Sequence, residues 1–211
     1  MTVVAPPLVG SYLILPYRWQ TGNPEADELK NGKILAHCST MSNLFPLPWS
    51  EDERKLLIAS ILTDAKNFCW EVWKKPPMEL VGLLILTRIV PKLDALAHFA
   101  FFDRHLVGKR PLIQTMLSWC FEQLELRRIS VEIPEHLEPL IRFARKLGFR
   151  YEGETLAASH PMTTALEQKG VNHAPQWVAK WGSRLEGMHF DGQAWRDVVL
   201  LRLLREEHAM R

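Results

Sequence analysis

An alternation of strand and helix patterns between residues 95 and 153 constrains the fold of this chain more than any other feature. Ala95 to Phe102 predicts a strand, and a basic turn, Gly108-Lys109-Arg110-Pro111, leads into a helical run that reaches Leu124. Arg128 to Ile133 predicts a second strand, and an amphipathic helix then runs to Leu147. This strand–helix–strand–helix order is typical of a domain in which helices pack on a sheet, of the α/β or α+β class.

Both predicted helices carry an apolar stripe with the three-and-four spacing of an α-helix. In the first helix the stripe consists of Ile113, Met116, Leu117, Cys120, Phe121 and Leu124. In the second, which opens at Pro134 or Glu135, it consists of Leu137, Leu140, Ile141, Ala144 and Leu147. Gly148 follows at once, in a position where a left-handed glycine ends many helices, and Phe149 is placed to fold back onto the helix.

The strand Ala95–Phe102 is predicted to close a meander of three strands. The two strands before it are Phe68–Trp73 and Glu79–Ile89, and the second of these is apolar enough to be covered on both faces. Upstream, Ser50 and Glu53 form a plausible capping box, and the helix after it is expected to bury Leu56, Leu57, Ile61 and Ala65.

The two remaining regions are less regular in pattern. Residues 1–50 are rich in Pro, Gly and Asn, and we expect an irregular or weakly stranded lead-in. Residues 158–195 are expected to form an insertion, with a short helix near Trp177–Leu185, before a buried closing strand at Val198–Leu204. The 211 residues are expected to form a single domain.

Composition excludes several classes of protein. A net charge of +2 is too small to indicate a nucleic-acid partner, and the apolar run Leu8–Leu15 is far shorter than the roughly 20 residues of a spanning helix. Three cysteines, Cys38, Cys69 and Cys120, are too few and too scattered for a disulfide framework and fit a reducing compartment. The sequence therefore predicts a cytoplasmic protein without a membrane partner, and the absence of CxxC or HExxH motifs predicts no metal site.

The turn Gly108-Lys109-Arg110 has the chemistry of an anion site. It enters a helix, whose first backbone N–H groups and positive dipole end favour negative charge. Gly108 allows close approach of a ligand to the backbone, and Lys109 and Arg110 can neutralise phosphate. A solvated loop is the alternative that this spacing leaves open.

The whole pattern resembles the GNAT superfamily of N-acetyltransferases, in the branch that acetylates amines and protein N-termini and includes bacterial and phage homologues. The resemblance runs from Glu79 to Gly153 and resumes from Gly192 to Val198. Its most specific part is the helix-to-strand run Phe143-Ala144-Arg145-Lys146-Leu147-Gly148-Phe149-Arg150-Tyr151-Glu152-Gly153. It implies a mixed, mostly antiparallel sheet with a V-shaped splay between the two middle strands, helices on both faces, and an insertion before the last strand.

This resemblance also implies acetyl-CoA as co-substrate and an amine as acceptor. Backbone N–H groups at the strand tip, Ala100, Phe101 and Phe102, are expected to polarise the thioester. The phosphate turn aligns with His105-Leu106-Val107-Gly108-Lys109-Arg110, which assigns cofactor binding to His105, Val107, Gly108, Lys109 and Arg110. The first glycine of the family motif is retained, but Arg110 stands in place of a small residue, where it either clasps phosphate or blocks the site.

Three residues are candidates for the base that deprotonates the acceptor amine: Glu132, His98 and Asp103. Alternation along the strand puts Glu132 opposite Val131 and Ile133, so that it lines the acceptor groove or faces solvent. His98 is equally interpreted as a hydrogen-bonded histidine of the sheet, and Asp103 as the cap of a turn. Cys120 lies on a buried helical stripe and is expected to pack there.

Departures from the family pattern support a different hypothesis. Leu137 stands where an Asn is usual before the second helix, and Ala144 stands where a Tyr often protonates the departing thiolate. The alternative function is a catalytically inactive acetyltransferase fold that serves as a binding or assembly module. Trp177, Trp181 and Trp195 belong to an acceptor pocket, to a satellite core or to an oligomer contact, and a homodimer is one expected form.

Overall fold

A computed structural model describes residues 9–41, 50–103, 107–152, 184–190 and 195–209, of which 184–190 and 195–197 are described as backbone. The helices are α1 (Pro24–Ser39), α2 (Glu51–Thr63), α3 (Lys109–Gln123), α4 (Glu138–Leu147) and α5 (Arg205–Ala209). The strands are β1 (Tyr12–Pro16), β2 (Phe68–Lys74), β3 (Glu79–Val90), β4 (Asp94–Phe101), β5 (Arg128–Pro134), β6 (Arg150–Tyr151), β7 (Arg184–Phe190) and β8 (Trp195–Leu204).

The strands of the described residues form one sheet in the order β1-β2-β3-β4-β5-β8-β6, with β7 also paired to β8. Neighbouring strands are antiparallel except at the centre, where β4 and β5 are parallel. Helix α3 makes the long connection that a parallel pair requires. The predicted mixed, mostly antiparallel sheet is confirmed.

The two middle strands diverge, as predicted. Strands β4 and β5 pair at three positions, of which the last joins Leu96 to Ser130. Beyond this point β4 continues beside β3 as far as Phe101, while β5 continues beside β8. A V-shaped gap therefore opens between them.

A polar cluster holds the closed end of the gap together. The guanidinium of Arg128 on β5 lies 2.5 Å from a carboxylate oxygen of Asp94 on β4 and 2.9 Å from one of Glu152. The hydroxyl of Ser130 donates to the other oxygen of Asp94 at 3.3 Å. These contacts fix the register in which β4 and β5 start, and hence the point at which they part.

Helices cover both faces of the sheet, each over its own apolar core. On one face, α3 and α4 bury residues such as Leu112, Met116 and Ile141 against Trp70 and Val199. On the other face, α1 and α2 bury Ile34, Cys38, Ile58 and Leu62 against Leu80, Leu83 and Ala100. Burial of each large aliphatic side chain contributes roughly 1.5–3 kcal/mol.

The helix stripes of the central unit are largely as predicted. All six residues of the first stripe are buried on α3, and burial raises the pKa of the Cys120 thiol to about 12, as expected of a packing residue. On α4 the buried stripe is narrower than predicted, because Leu140 is 42% exposed. This helix begins at Glu138, a few residues later than expected. Gly148 ends it with a φ of 110°, and Phe149 is buried.

The expectation of an irregular or weakly stranded lead-in at residues 1–50 is corrected in part, because the described residues there contain a paired strand and a long helix. Strand β1 pairs with β2 along its whole length, and α1 has sixteen residues. Polar contacts anchor this helix: Lys30 pairs with the buried Glu71 at 2.9 Å, and the buried Asn31 accepts from the hydroxyl of Tyr17. The spacing of apolar residues in the sequence gives no information about polar contacts of this kind.

The capping box of Ser50 and Glu53 is present, but α2 is rotated from the predicted orientation. Ile58 and Leu62 are its buried residues, while Leu56 is 71% exposed. The apolar run Leu56-Leu57-Ile58 fits a core on more than one helix face, so the sequence did not decide between them.

The closing strand is confirmed as part of β8, with Val198, Val199, Leu201 and Leu203 buried. Most of the helix expected near residues 177–185 lies outside the described residues, and its end at Arg184–Leu185 is in β7 instead.

The prediction of a single domain stays a prediction. Among the described residues, no helix has both the length and the apolar character needed to cross a membrane.

Candidate functional site

His98 and Glu132 lie on either side of the place where β4 and β5 part, which we call the mouth of the gap. Each lies two residues beyond the last pair that joins β4 to β5, Leu96 with Ser130. Since side chains alternate along a strand, both point to the same face of the sheet. Ala100 packs under α1 and α2, so this is the face that those helices cover.

Arg88 bridges this mouth, and the sequence interpretation missed it. The register of β3 against β4 slips between Thr87 and Val90, where β3 contains an extra residue. Arg88 lies in this bulge with a φ of 49°, and its guanidinium reaches Glu132 on β5, 2.6 Å from a carboxylate oxygen. Bulges commonly re-aim a side chain in this way. One sequence signal existed, since Arg88 is the single basic residue of a mostly apolar strand.

His98 is held as a neutral imidazole. Its Nε2 lies 3.1 Å from the hydroxyl of Thr87, which is diagonally opposite on β3. Burial, and to a lesser degree the Arg88 cation, lower the pKa of His98 to about 4. His98 is half-buried, so a proton on its ring would lie among protein atoms and near the Arg88 guanidinium.

Glu132 is more accessible than His98 to a group that enters from solvent. Its side chain is 27% exposed, and its partner Arg88 is 71% exposed, so the carboxylate lies at the boundary between the gap and solvent. Glu132 therefore lies beside the gap and in partial contact with solvent, and its role as a base stays a prediction. An ion pair as exposed as this one contributes little to stability, so another cation can compete for the carboxylate.

The backbone of β4 directs polar groups into the gap. The Phe102 N–H donates to the carbonyl of Val81 on β3 at 2.9 Å, so Phe102 faces β3. Backbone direction alternates along a strand, so Ala100 faces β3 too, while Phe99 and Phe101 face the gap. Of the three predicted thioester donors, Phe102 and Ala100 are corrected, because their N–H groups point toward β3 and not into the gap. The N–H of Phe101 faces the gap, and its role as a thioester donor stays a prediction.

The predicted phosphate turn leads from β4 into α3. Gly108 is the N-terminal flanking residue of α3, with a φ of 81° that favours glycine. Lys109 lies in the first turn with its ammonium 5.7 Å from the centre of the Phe101 ring, and burial lowers its pKa. Arg110 is exposed on the same turn, and His105 lies outside the described residues.

Tyr12, which lies on the edge strand β1, contacts this turn. Its hydroxyl donates to the carbonyl of Val107, and its ring is the nearest group to Gly108, 3.4 Å from the position of a Cβ there. The ring is buried and packs in the core under α3. No local pattern could have identified a contact between residues 95 positions apart.

Asp103 belongs to the turn and not to the mouth. Its carboxylate adds to the burial that raises the pKa of Tyr12, and it partly offsets the burial that lowers the pKa of Lys109. It also borders a cleft of about 240 Å³ under α1, where the rings of His37 and Phe102 stack at 4.6 Å. Along an extended strand, the seven steps from Leu96 to Asp103 span about 23 Å, which is the distance from the point where the strands part to the turn.

This chain has an apolar residue at two positions where the resemblance to the GNAT superfamily implies an Asn and a Tyr. Ala144 is buried on α4, and Leu137 precedes that helix without a side-chain cap. Among the described residues, no group of three or more His, Cys, Asp or Glu side chains is placed to hold a metal ion.

Known structures share this fold. Spermidine N-acetyltransferase from Vibrio cholerae, in complex with CoA and spermine, superposes with a TM-score of 0.63 at 17% identity, covering 94% of this chain and 98% of that one. The chain has the GNAT acetyltransferase fold. A GNAT family acetyltransferase from Bacillus anthracis gives a TM-score of 0.58 at 17% identity, over 98% of this chain and 100% of the other. No protein-family model and no curated protein sequence matches the chain.

The V-shaped splay that the resemblance implied is present in this sheet, after its single parallel pair. At identities this low, the likeness concerns the fold. The chemistry has to be argued from the residues of this chain.

Proposed function

We propose that this chain is an acetyl-CoA-dependent N-acetyltransferase that transfers an acetyl group directly to a primary amine of a small molecule or protein. The observation that carries the proposal is the gap between β4 and β5, which ends at a glycine-entered helix start. A long, amide-bearing arm with a phosphate at one end and a thioester at the other fits that geometry. The bound CoA of the Vibrio cholerae enzyme supports the choice of cofactor.

The proposed cofactor lies along β4. Its phosphates would meet the turn at Val107, Gly108, Lys109 and Arg110, where a helix begins and two cations are close. Arg110 is exposed, so it is proposed to clasp phosphate and not to fill the site. From there the arm would run toward the parting point of the strands, past the backbone N–H groups of Phe101 and Phe99.

The proposed reaction needs few protein groups. The amine nitrogen attacks the thioester carbon, the C–N bond forms, and the carbonyl oxygen takes negative charge that the Phe101 and Phe99 N–H groups can stabilise. The C–S bond then breaks, and the proton lost by the nitrogen ends on the CoA sulfur. An ordinary thiol has a pKa of about 8.5, so a thiolate can leave without a dedicated acid, which makes Ala144 compatible with catalysis.

Glu132 is the proposed base. A carboxylate at the mouth attracts an ammonium, which can replace the exposed Arg88 as its partner and then release its proton, directly or through water. His98 is a weaker candidate, since a pKa of about 4 makes its protonated form unfavourable. Asp103 lies at the phosphate end and is proposed to act on the turn.

Titration calorimetry with CoA and acetyl-CoA tests the proposal. We expect binding by the wild-type chain, and weaker binding by Gly108→Glu, which adds a bulky anion at the turn, and by Arg110→Ala. Arg142→Ala is the matched control, because it removes an exposed arginine from α4, away from the gap. No binding at millimolar CoA would refute the proposal.

The non-catalytic alternative makes a different prediction. A binding or assembly module with this fold would leave a panel of primary amines, polyamines included, unacetylated even where CoA binds. We place the protein in the cytoplasm, since Cys38, Cys69 and Cys120 are all free thiols. A homodimer also belongs to the proposal and is testable by sedimentation.

A further inference from the structure

Tyr12 makes an unusual contact for a residue of an edge strand. It lies at the start of β1, three strands away from β4 in the sheet, yet its side chain is buried under the sheet beside α3. There its hydroxyl donates to the carbonyl of Val107, the residue before the glycine at which α3 begins.

This contact fixes the orientation of one peptide group. The peptide unit between Val107 and Gly108 is planar and trans, so its C=O and N–H point in opposite directions. A carbonyl held inward on Tyr12 therefore keeps the Gly108 N–H turned outward, away from the core. The Val107 side chain, 84% exposed, marks that outer side as open.

The surroundings keep Tyr12 in the donating form. Burial, and then the nearby Asp103 carboxylate, raise the pKa of Tyr12 above its ordinary value. The hydroxyl therefore stays protonated at physiological pH, and a carbonyl is the kind of partner that such a donor requires. The ring meanwhile packs at 3.4 Å from the Cβ position of Gly108, which limits how far the turn can shift.

We infer that Tyr12 is a positioning residue for the phosphate turn, which acts by holding the Val107–Gly108 peptide so that its N–H faces the pyrophosphate of CoA. This inference rests on the proposed function. Without the hydroxyl the peptide is free to rotate, and a rotated peptide presents a carbonyl oxygen to an anion. The loss is one hydrogen bond to a charged group, which corresponds to a roughly tenfold or greater weakening of CoA binding.

The test compares two ligands and two tyrosines. Tyr12→Phe removes the hydroxyl and keeps the buried ring, whereas Tyr17→Phe removes a hydroxyl that bonds Asn31 at the far end of the same strand region. Calorimetry with CoA and ligand-observed NMR with pantetheine, which has no phosphate, measure the two affinities for each variant. Circular dichroism checks that each variant is folded.

We expect Tyr12→Phe to bind CoA about tenfold more weakly, with pantetheine affinity unchanged, and Tyr17→Phe to match the wild type with both ligands. Unchanged CoA affinity in Tyr12→Phe would overturn the inference. Equal weakening for CoA and pantetheine would also overturn it, because it would show a general loss of structure. If the wild-type chain itself binds no CoA, the proposed function fails first, and that result is distinct from the other two.

Discussion

Gly82 is the position at which a single methyl group should disturb the site most directly. It lies on β3 opposite Phe101 of β4. A Cβ at this position would lie 2.6 Å from the carbonyl oxygen of Ala100, 2.9 Å from a ring carbon of Phe101 and 3.3 Å from its Cα. Two of these contacts involve backbone atoms, so the strain cannot be relieved by a side-chain rotation alone.

The expected cost follows from the size of this overlap. Ordinary contacts of a Cβ begin near 3.4 Å, so β4 would have to move away from β3 by roughly 0.5–1 Å at its tip. Overpacking of this kind costs about 1–3 kcal/mol. For a chain of this size, 2 kcal/mol corresponds to a fall in Tm of about 4–8 °C.

Gly32→Ala is the matched control. Gly32 lies inside α1, is exposed, and has no atom within 4 Å of its Cβ position. Removing a glycine from a helix interior should stabilise the chain by about 0.5–1 kcal/mol. The same chemical change therefore has opposite signs at the two positions.

Urea unfolding followed by circular dichroism measures both variants, and calorimetry with CoA adds a second measurement. We expect Gly82→Ala to be less stable than the wild type and to bind CoA more weakly, because the displaced strand tip leads into the phosphate turn. A Gly82→Ala protein as stable as Gly32→Ala would refute the reasoning, since it would mean that β3 and β4 are not in close backbone contact.

The other predictions concern the mouth of the gap. Glu132→Gln should lower turnover mainly at neutral pH, with partial recovery at high pH as free amine becomes abundant; its stability should change by less than about 1 kcal/mol, because Arg88 is exposed. Glu138→Gln, which also removes an arginine-paired carboxylate, is the control, and a pH–rate profile unchanged by Glu132→Gln would contradict the assigned role. His98 has a folded pKa of about 4, so the unfolded chain takes up this proton first, and stability is lost as pH falls from about 6.5 toward 4. Between pH 7 and 5 the wild type should lose about 2 kcal/mol more than His98→Gln, and parallel stability curves would count against a buried neutral imidazole.

The central unit was predictable because its signals are local. The stripe on α3 and the glycine after α4 each depend on spacing within one element, and both are present. The N-terminal helix was missed because polar groups hold it: Lys30 on Glu71, and Tyr17 on Asn31. A periodicity of apolar residues carries no information about such contacts.

The sequence predicted which strands carry the candidate site, but not the side-chain contacts between them. Alternation correctly set Glu132 apart from its apolar neighbours, but its partner Arg88 depends on a bulge two strands away. Tyr12 is 95 positions away in sequence from its partner Val107, and this contact depends on how α3 crosses beneath the sheet. Contacts between distant residues of this kind follow from the assembled fold.

The divergence of β4 and β5 gives this protein a sheet edge in the middle of its sheet. An exposed edge invites pairing with a strand of another molecule, and proteins commonly protect their edges with charge. Here the pair of Arg88 and Glu132 lies across the opening, where a foreign strand would have to enter. The carboxylate that we propose as the base, and the guanidinium that an amine would displace from it, are thus placed to hinder self-association of the protein through this edge.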